Sequence, residues 1–149
     1  MINLGGVILI LILNKGFIPV ESIDDDETYR HGIFEWNITK LIQHIKHNKS
    51  EISTSVIDVS KYYSPDSFFS NINKVHAQTV DLSIPVIQAE INCDLYIVID
   101  GHHRLFRAYS DGIKSVDSYK LRVDQHIPFF VSIKSYITFV EYWNSKLGQ

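Results

Sequence analysis

Tyr96-Ile97-Val98-Ile99-Asp100-Gly101-His102-His103-Arg104-Leu105-Phe106-Arg107-Ala108-Tyr109 joins an apolar run too short for a helix to a polar break and then to helical spacing. Residues 95–99 are apolar or aromatic and rich in β-branched types, the pattern of a strand buried on both faces at the centre of a sheet. Asp100-Gly101 interrupts that run. Leu105, Ala108 and Tyr109 then recur at helical spacing up to Gly112, a residue suited to the position just past a helix end. The stretch predicts a strand, a tight turn and a helix of about two and a half turns.

This order of elements has chemical consequences. The first turn of a helix presents unpaired N–H groups and a partial positive charge, and anions bind there. Here that turn also carries His102, His103 and Arg104, all donors to phosphate oxygens, and an arginine engages two oxygens at once. Gly101 lets the backbone come close to a ligand. Asp100 would repel a bare phosphate, so its expected role is to cap the helix, to orient a histidine, or to hold a Mg²⁺ that bridges phosphates. Arg107, one turn further on, is either another phosphate contact or a solvent-facing charge. The plain alternative is a simple turn followed by two solvated histidines.

The run Val98-Ile99-Asp100-Gly101-His102-His103-Arg104-Leu105, with the upstream Asp81-Leu82-Ser83-Ile84-Pro85-Val86-Ile87, resembles the ParB/sulfiredoxin superfamily over about residues 52–123. The resemblance implies that the Asp-Gly-His-His-Arg turn binds nucleotide phosphates and that the Pro-Val-Ile strand pairs with the motif strand. It also implies a choice among CTP-hydrolysing partition proteins, sulfiredoxins, ADP-dependent free-serine kinases and ParB-like nuclease domains. Sulfiredoxin chemistry needs a cysteine where this chain has His102, and its only cysteine, Cys93, precedes the strand. A partition protein needs a DNA-binding helical domain, for which the residues after the motif do not suffice. The histidine-containing motif is nearest to the free-serine-kinase and ParB-like nuclease branches.

A length of 149 residues with 45% hydrophobic content suits one domain with a substantial core. The net charge of −3, with 21% charged residues and no basic block, argues against nucleic acid as a partner. One cysteine forms no internal disulfide, which fits a reducing, cytoplasmic location. Residues 7–13 form an unbroken apolar run, yet a membrane-spanning helix needs about 20 such residues. A signal peptide would need a basic start and a small-residue cleavage site. No membrane association is expected. With Asn14-Lys15-Gly16 as a turn and Phe17-Ile18-Pro19-Val20 as the return, the run reads as a β-hairpin, whose apolar strand needs cover from this domain or from a second copy in a homo-oligomer.

Residues 21–32, centred on Asp24-Asp25-Asp26-Glu27, read as a solvated loop. Asn37 is placed to cap an amphipathic helix with Ile38, Leu41, Ile42 and Ile45 on one face. His31, His44 and His47 read as surface histidines rather than zinc ligands. A short strand is expected around Ser55 to Val59. A helix starting at Ser64-Pro65 is expected to bury Phe68, Phe69, Ile72 and Val75. Residues 76–83 form a polar connector, and Pro85 places the next strand at an edge or at a strand start. A turn over residues 90–94, a strand over 115–123 and a helix from about Ser135 complete the order, the last with Tyr136, Phe139, Val140, Trp143 and Leu147 on one face.

The expected architecture is a single α+β domain over residues 1–149, a mixed β-sheet with packed helices of ParB/sulfiredoxin-like kind. The expected function is binding of a nucleotide (ATP, ADP or CTP) with Mg²⁺, with phosphoryl transfer or hydrolysis at the turn. Gly101, His102, His103, Arg104 and Arg107 are the phosphate-binding candidates, Asp100 the metal candidate, and Asp100, His102 and His103 the catalytic ones. Glu35, beside Trp36 in a mixed apolar setting, is the first choice of general base, ahead of Glu51 and Asp58. The other readings are a ParB-like nuclease or toxin module and a ligand-binding module without catalysis.

Overall fold

The apolar runs separated by turn residues pair into a four-stranded mixed sheet with a hairpin beside it, as the computed structural model shows for the described residues 9–63 and 72–147. The hairpin joins β1 (Thr28–His31) to β2 (Phe34–Asn37). The sheet contains β3 (Ser53–Asp58), β4 (Val86–Asn92), β5 (Leu95–Asp100) and β6 (Ser115–Leu121), in the order β3-β6-β4-β5. Among the described residues, only the β4–β6 pairing is parallel. The helices are α1 (Ile38–His47), α2 (Val59–Tyr62), α3 (Lys74–Ala77), α4 (His102–Ser110), α5 (Val123–His126) and α6 (Ile133–Lys146). The chain is thus a small α+β domain with a mixed sheet and packed helices.

Alternation along the strands places two cores on opposite sheet faces. Ile87, Ala89, Ile91, Ile99 and Leu121 face the layer made by the hairpin, α1 and α6, where Trp36, Leu41, Phe130, Phe139 and Trp143 are fully or almost fully buried. Val86, Val98 and Val116 face α4 and pack against Leu105 and Ala108. Burying a Leu or Val side chain contributes about 1.5 to 3 kcal/mol, so α4 is held in place chiefly through Leu105 and the valines beneath it.

The expected helices at both ends are present. Asn37 caps α1 by accepting from Lys40 N–H at 2.9 Å, and Ser132 caps α6 by accepting from Ser135 N–H at 3.0 Å. Tyr136, Phe139, Val140 and Trp143 are buried on the inner face of α6.

Other expectations need correction. The motif strand β5 is not central: it pairs with β4 and, among the described residues, with no other strand, while β4 with its Val86-Ile87 start occupies the interior. The hairpin layer beside β5 supplies the cover that a flanking strand would have given. Residues 9–20 contain no strand. Their backbone is met by side chains of α6, because Asn144 donates to Leu11 O at 2.8 Å and accepts from Leu11 N–H at 2.9 Å. Tyr136 hydroxyl accepts from Asn14 N–H, and the Phe17 ring stacks on Tyr136. The hairpin forms instead from β1, which lies in the stretch read as a loop, and β2, which follows that stretch. Glu90 lies within β4, so the turn is confined to Cys93 and Asp94, the latter with φ +54°. Val75 is exposed rather than buried. The helix expected from Ser64-Pro65, with Phe68 and Phe69, lies outside the described residues.

A buried polar chain ties the layers together. Trp36 Nε1–H donates to His126 Nδ1 at 3.1 Å, and His126 Nε2–H donates to the Glu90 carbonyl at 2.6 Å. The Glu90 carboxylate accepts from Val123 N–H at 3.1 Å and from Asp94 N–H at 3.2 Å. Every member is satisfied, the condition under which a buried polar network supports a unique core. Among the described residues, no helix is long and apolar enough to cross a membrane.

Candidate functional site

β5 delivers Asp100 to the sheet end, and the chain turns into α4 at Gly101 with φ +107° and ψ 20°. That conformation is costly for any residue with a Cβ. A Cβ at this position would also stand 2.4 Å from Val86 Cγ1 and 2.8 Å from Arg104 Nη2. The turn is therefore wound tightly onto β4 and onto the arginine one helical turn ahead.

Asp100 does not cap α4, whose N-cap is Gly101. Its Oδ2 instead accepts from Arg104 Nη2 at 2.8 Å, forming a pair in which both side chains are largely shielded. Arg104 Nε is buried and, among the described residues, has no hydrogen-bond partner. The two histidines part company. His102 Nε2 meets the Tyr29 hydroxyl at 3.2 Å and so anchors the hairpin, whereas His103 Nε2 accepts from Asn73 N–H at 3.2 Å. The His103 ring also stands edge-on to His76, with centroids 4.8 Å apart.

A cavity of about 240 Å³ opens between α3, α4 and the loop before β4, lined in part by Gly101, His103, Arg104 and Asp100. Glu27, His76 and Asp81 complete its charged and titratable lining. These three, with Asn73, were not legible as site residues: Glu27 ends an acidic run that reads as solvated, and His76 and Asp81 fall in the polar connector. No local spacing links them to the motif, and only the tertiary fold brings them there.

Electrostatics set the protonation tendencies. Partial burial and then the Asp100 charge push the Glu27 carboxyl above the usual range. Hydrogen bonds from Ser83 hold Asp81 low. Burial, followed by the neighbouring His76, lowers His103. Burial is also the main cause that lowers His102, with His103 adding and Asp100 opposing.

Arg107 does not face this cavity. It donates to Val80 O at 2.6 Å and pairs with Asp111, bracing the cavity wall from behind, in a neighbouring cleft of about 430 Å³. Glu35 lies in a different cleft beside Ser132 and Lys134, paired with Arg30 at 3.0 Å. Asp58 caps α2 through Ser60, and Glu51 sits in an exposed 3₁₀ turn. None of Glu35, Glu51 and Asp58 lines the cavity.

For Mg²⁺ the donor set is a poor fit. The Asp100 carboxylate is engaged by Arg104, and among the described residues no three His, Cys, Asp or Glu side chains are placed to share a metal ion. What the cavity offers an anion is the Arg104 guanidinium and the His103 imidazole, whose Nε2 accepts the Asn73 N–H. Comparison with protein-family models, with curated proteins and with solved structures finds no match for this chain.

Proposed function

We propose that the cavity at the Asp100–Arg104 turn binds the phosphate end of a nucleotide, in a domain of ParB/sulfiredoxin-like kind. The observation that supports this reading most is the Arg104 side chain: Asp100 holds it at the start of α4 beside a cavity, and its Nε is buried without a partner among the described residues. A guanidinium held rigidly at a helix start suits bidentate recognition of phosphate. His103 and the backbone around Gly101 add contacts, while His102 holds the hairpin in place.

The reaction class in this reading is phosphoryl transfer or nucleotide hydrolysis, which relies on positioning and charge stabilisation. Glu27, raised above the ordinary carboxylate range and lining the cavity, replaces Glu35 as the residue placed to accept a proton. A nucleotide ligand and a single cysteine fit a cytoplasmic setting.

Thermal unfolding with ATP, ADP, CTP, GTP or inorganic phosphate, with and without Mg²⁺, tests the proposal. A ligand at about 100 times its Kd stabilises the native state by roughly 2.7 kcal/mol. A shift with one nucleotide that disappears in Arg104→Ala and persists in Glu35→Gln supports the reading. No shift with any phosphate compound contradicts it. Turnover of the nucleotide that binds then separates an enzyme from a ligand-binding module.

A further inference from the structure

The charges facing the cavity come from every element around it. Glu27 enters from the loop before β1, Asp81 from the loop before β4, Asp100 from the end of β5, Arg104 from α4, and His76 from α3 beside His103. With both imidazoles neutral, three carboxylates face one guanidinium, and an anion enters an acidic lining. No cluster of protein ligands is placed to supply a neutralising metal, among the described residues.

His103 points to another source of positive charge. Its Nε2 accepts the Asn73 N–H, so the ring is neutral in this arrangement and carries its hydrogen on Nδ1. A proton that charges the ring must enter at Nε2. Without a ligand, the Nε2–H and the Asn73 N–H would then confront each other as two donors, with His76 alongside. An anion oxygen accepting from both removes the conflict. Proton and anion therefore favour each other's binding, and the coupling is reciprocal. We infer that the anion enters this cavity together with a proton, taken up at Nε2 of His103, and that the Asn73 N–H and the charged His103 then donate to the same phosphate oxygen. Burial and His76 keep the free ring below the usual histidine range, which leaves His103 uncharged until the ligand arrives. This inference rests on the phosphate-binding reading above.

Calorimetric titration of the full chain with sulfate, and in parallel with inorganic phosphate, tests it in two buffers of different ionisation enthalpy. Sulfate keeps its charge across the range used, so any proton absorbed belongs to the protein. The expected result is about one proton taken up per sulfate and an affinity that rises about tenfold for each unit of pH lowered between about 8 and 6.5. His103→Gln, which removes the ionisable ring, should lower the proton count towards zero. Equal heats in both buffers with pH-independent affinity would overturn the proton coupling and leave the phosphate pocket standing. Full proton uptake retained in His103→Gln would overturn the assignment to His103. No binding of either anion down to about pH 6 would overturn both this inference and the reading beneath it. The wild-type proton count requires no variant to fold.

Discussion

Asp100 Oδ2 meets Arg104 Nη2 at 2.8 Å across the first turn of α4, with the side chains 16% and 13% exposed, respectively. The pair spans Gly101 and fastens the strand end to the helix start. Because little solvent reaches it, removing one partner leaves a poorly hydrated charge behind. Arg104→Ala and Asp100→Ala are each expected to cost about 1 to 3 kcal/mol, and the double variant less than their sum by at least about 1 kcal/mol. Urea unfolding of the four proteins in a double-mutant cycle measures this. Additive losses would show that the pair is an incidental contact.

Gly101 is expected to be the least replaceable glycine of the described chain. Gly101→Ala combines a φ of +107° with a clash against Val86 and should destabilise by about 2 to 4 kcal/mol. Gly32→Ala has a φ of +61° with nothing within 4 Å, and should cost only about 1 kcal/mol. Thermal unfolding of the two variants side by side checks the difference, and equal losses would show that the contact with Val86 relaxes freely.

The strand, turn and helix around Gly101 were legible because their signals are local: a β-branched run, an Asp-Gly break and a helical recurrence of Leu105 and Ala108. The caps Asn37 and Ser132 belong to elements that local pattern also reveals. What was not legible depends on distant partners. Residues 9–20 have the composition of a strand, but Asn144 and Tyr136 of α6 take their backbone groups. The polar run Thr28–His31 becomes a strand because β2 pairs with it over the buried Trp36. Glu27, Asn73, His76 and Asp81 reach the motif only through folding, and Glu35, adjacent in sequence to a buried tryptophan, points to a different cleft.

Acid should weaken the fold through His126. Burial pushes this imidazole down to about 4, and it is held neutral between Trp36 and the Glu90 carbonyl. The unfolded chain, with an ordinary histidine near 6.5, takes up the proton first as pH falls. The stabilisation is therefore present in full above about pH 6.5 and is lost towards pH 4, by an amount on the order of 3 kcal/mol. Denaturant unfolding across this range should show the decline, and His126→Gln should flatten it while lowering stability at neutral pH. A wild-type profile flat between these values would contradict the neutral, buried assignment.

Glu35→Gln should leave ligand binding unchanged, because Glu35 is paired with Arg30 outside the cavity. Its effect on stability should stay within about 0.5 kcal/mol, as expected for a pair whose arginine is mostly exposed. Glu27→Gln, by contrast, should alter binding. Titration of both variants with the same nucleotide provides the comparison, and loss of binding in Glu35→Gln alone would relocate the site.

The central claim is that phosphate binds at the Asp100–Arg104 turn, and its most direct test is a ¹H–¹⁵N NMR titration of the full chain with ADP and Mg²⁺ that follows backbone amides and the Arg104 Nε–H. The account predicts saturable shifts concentrated at Gly101, His103, Arg104, Asn73 and His76, with the Arg104 Nε–H among the largest. Saturable shifts confined to another cleft, or no shifts at all, would contradict it.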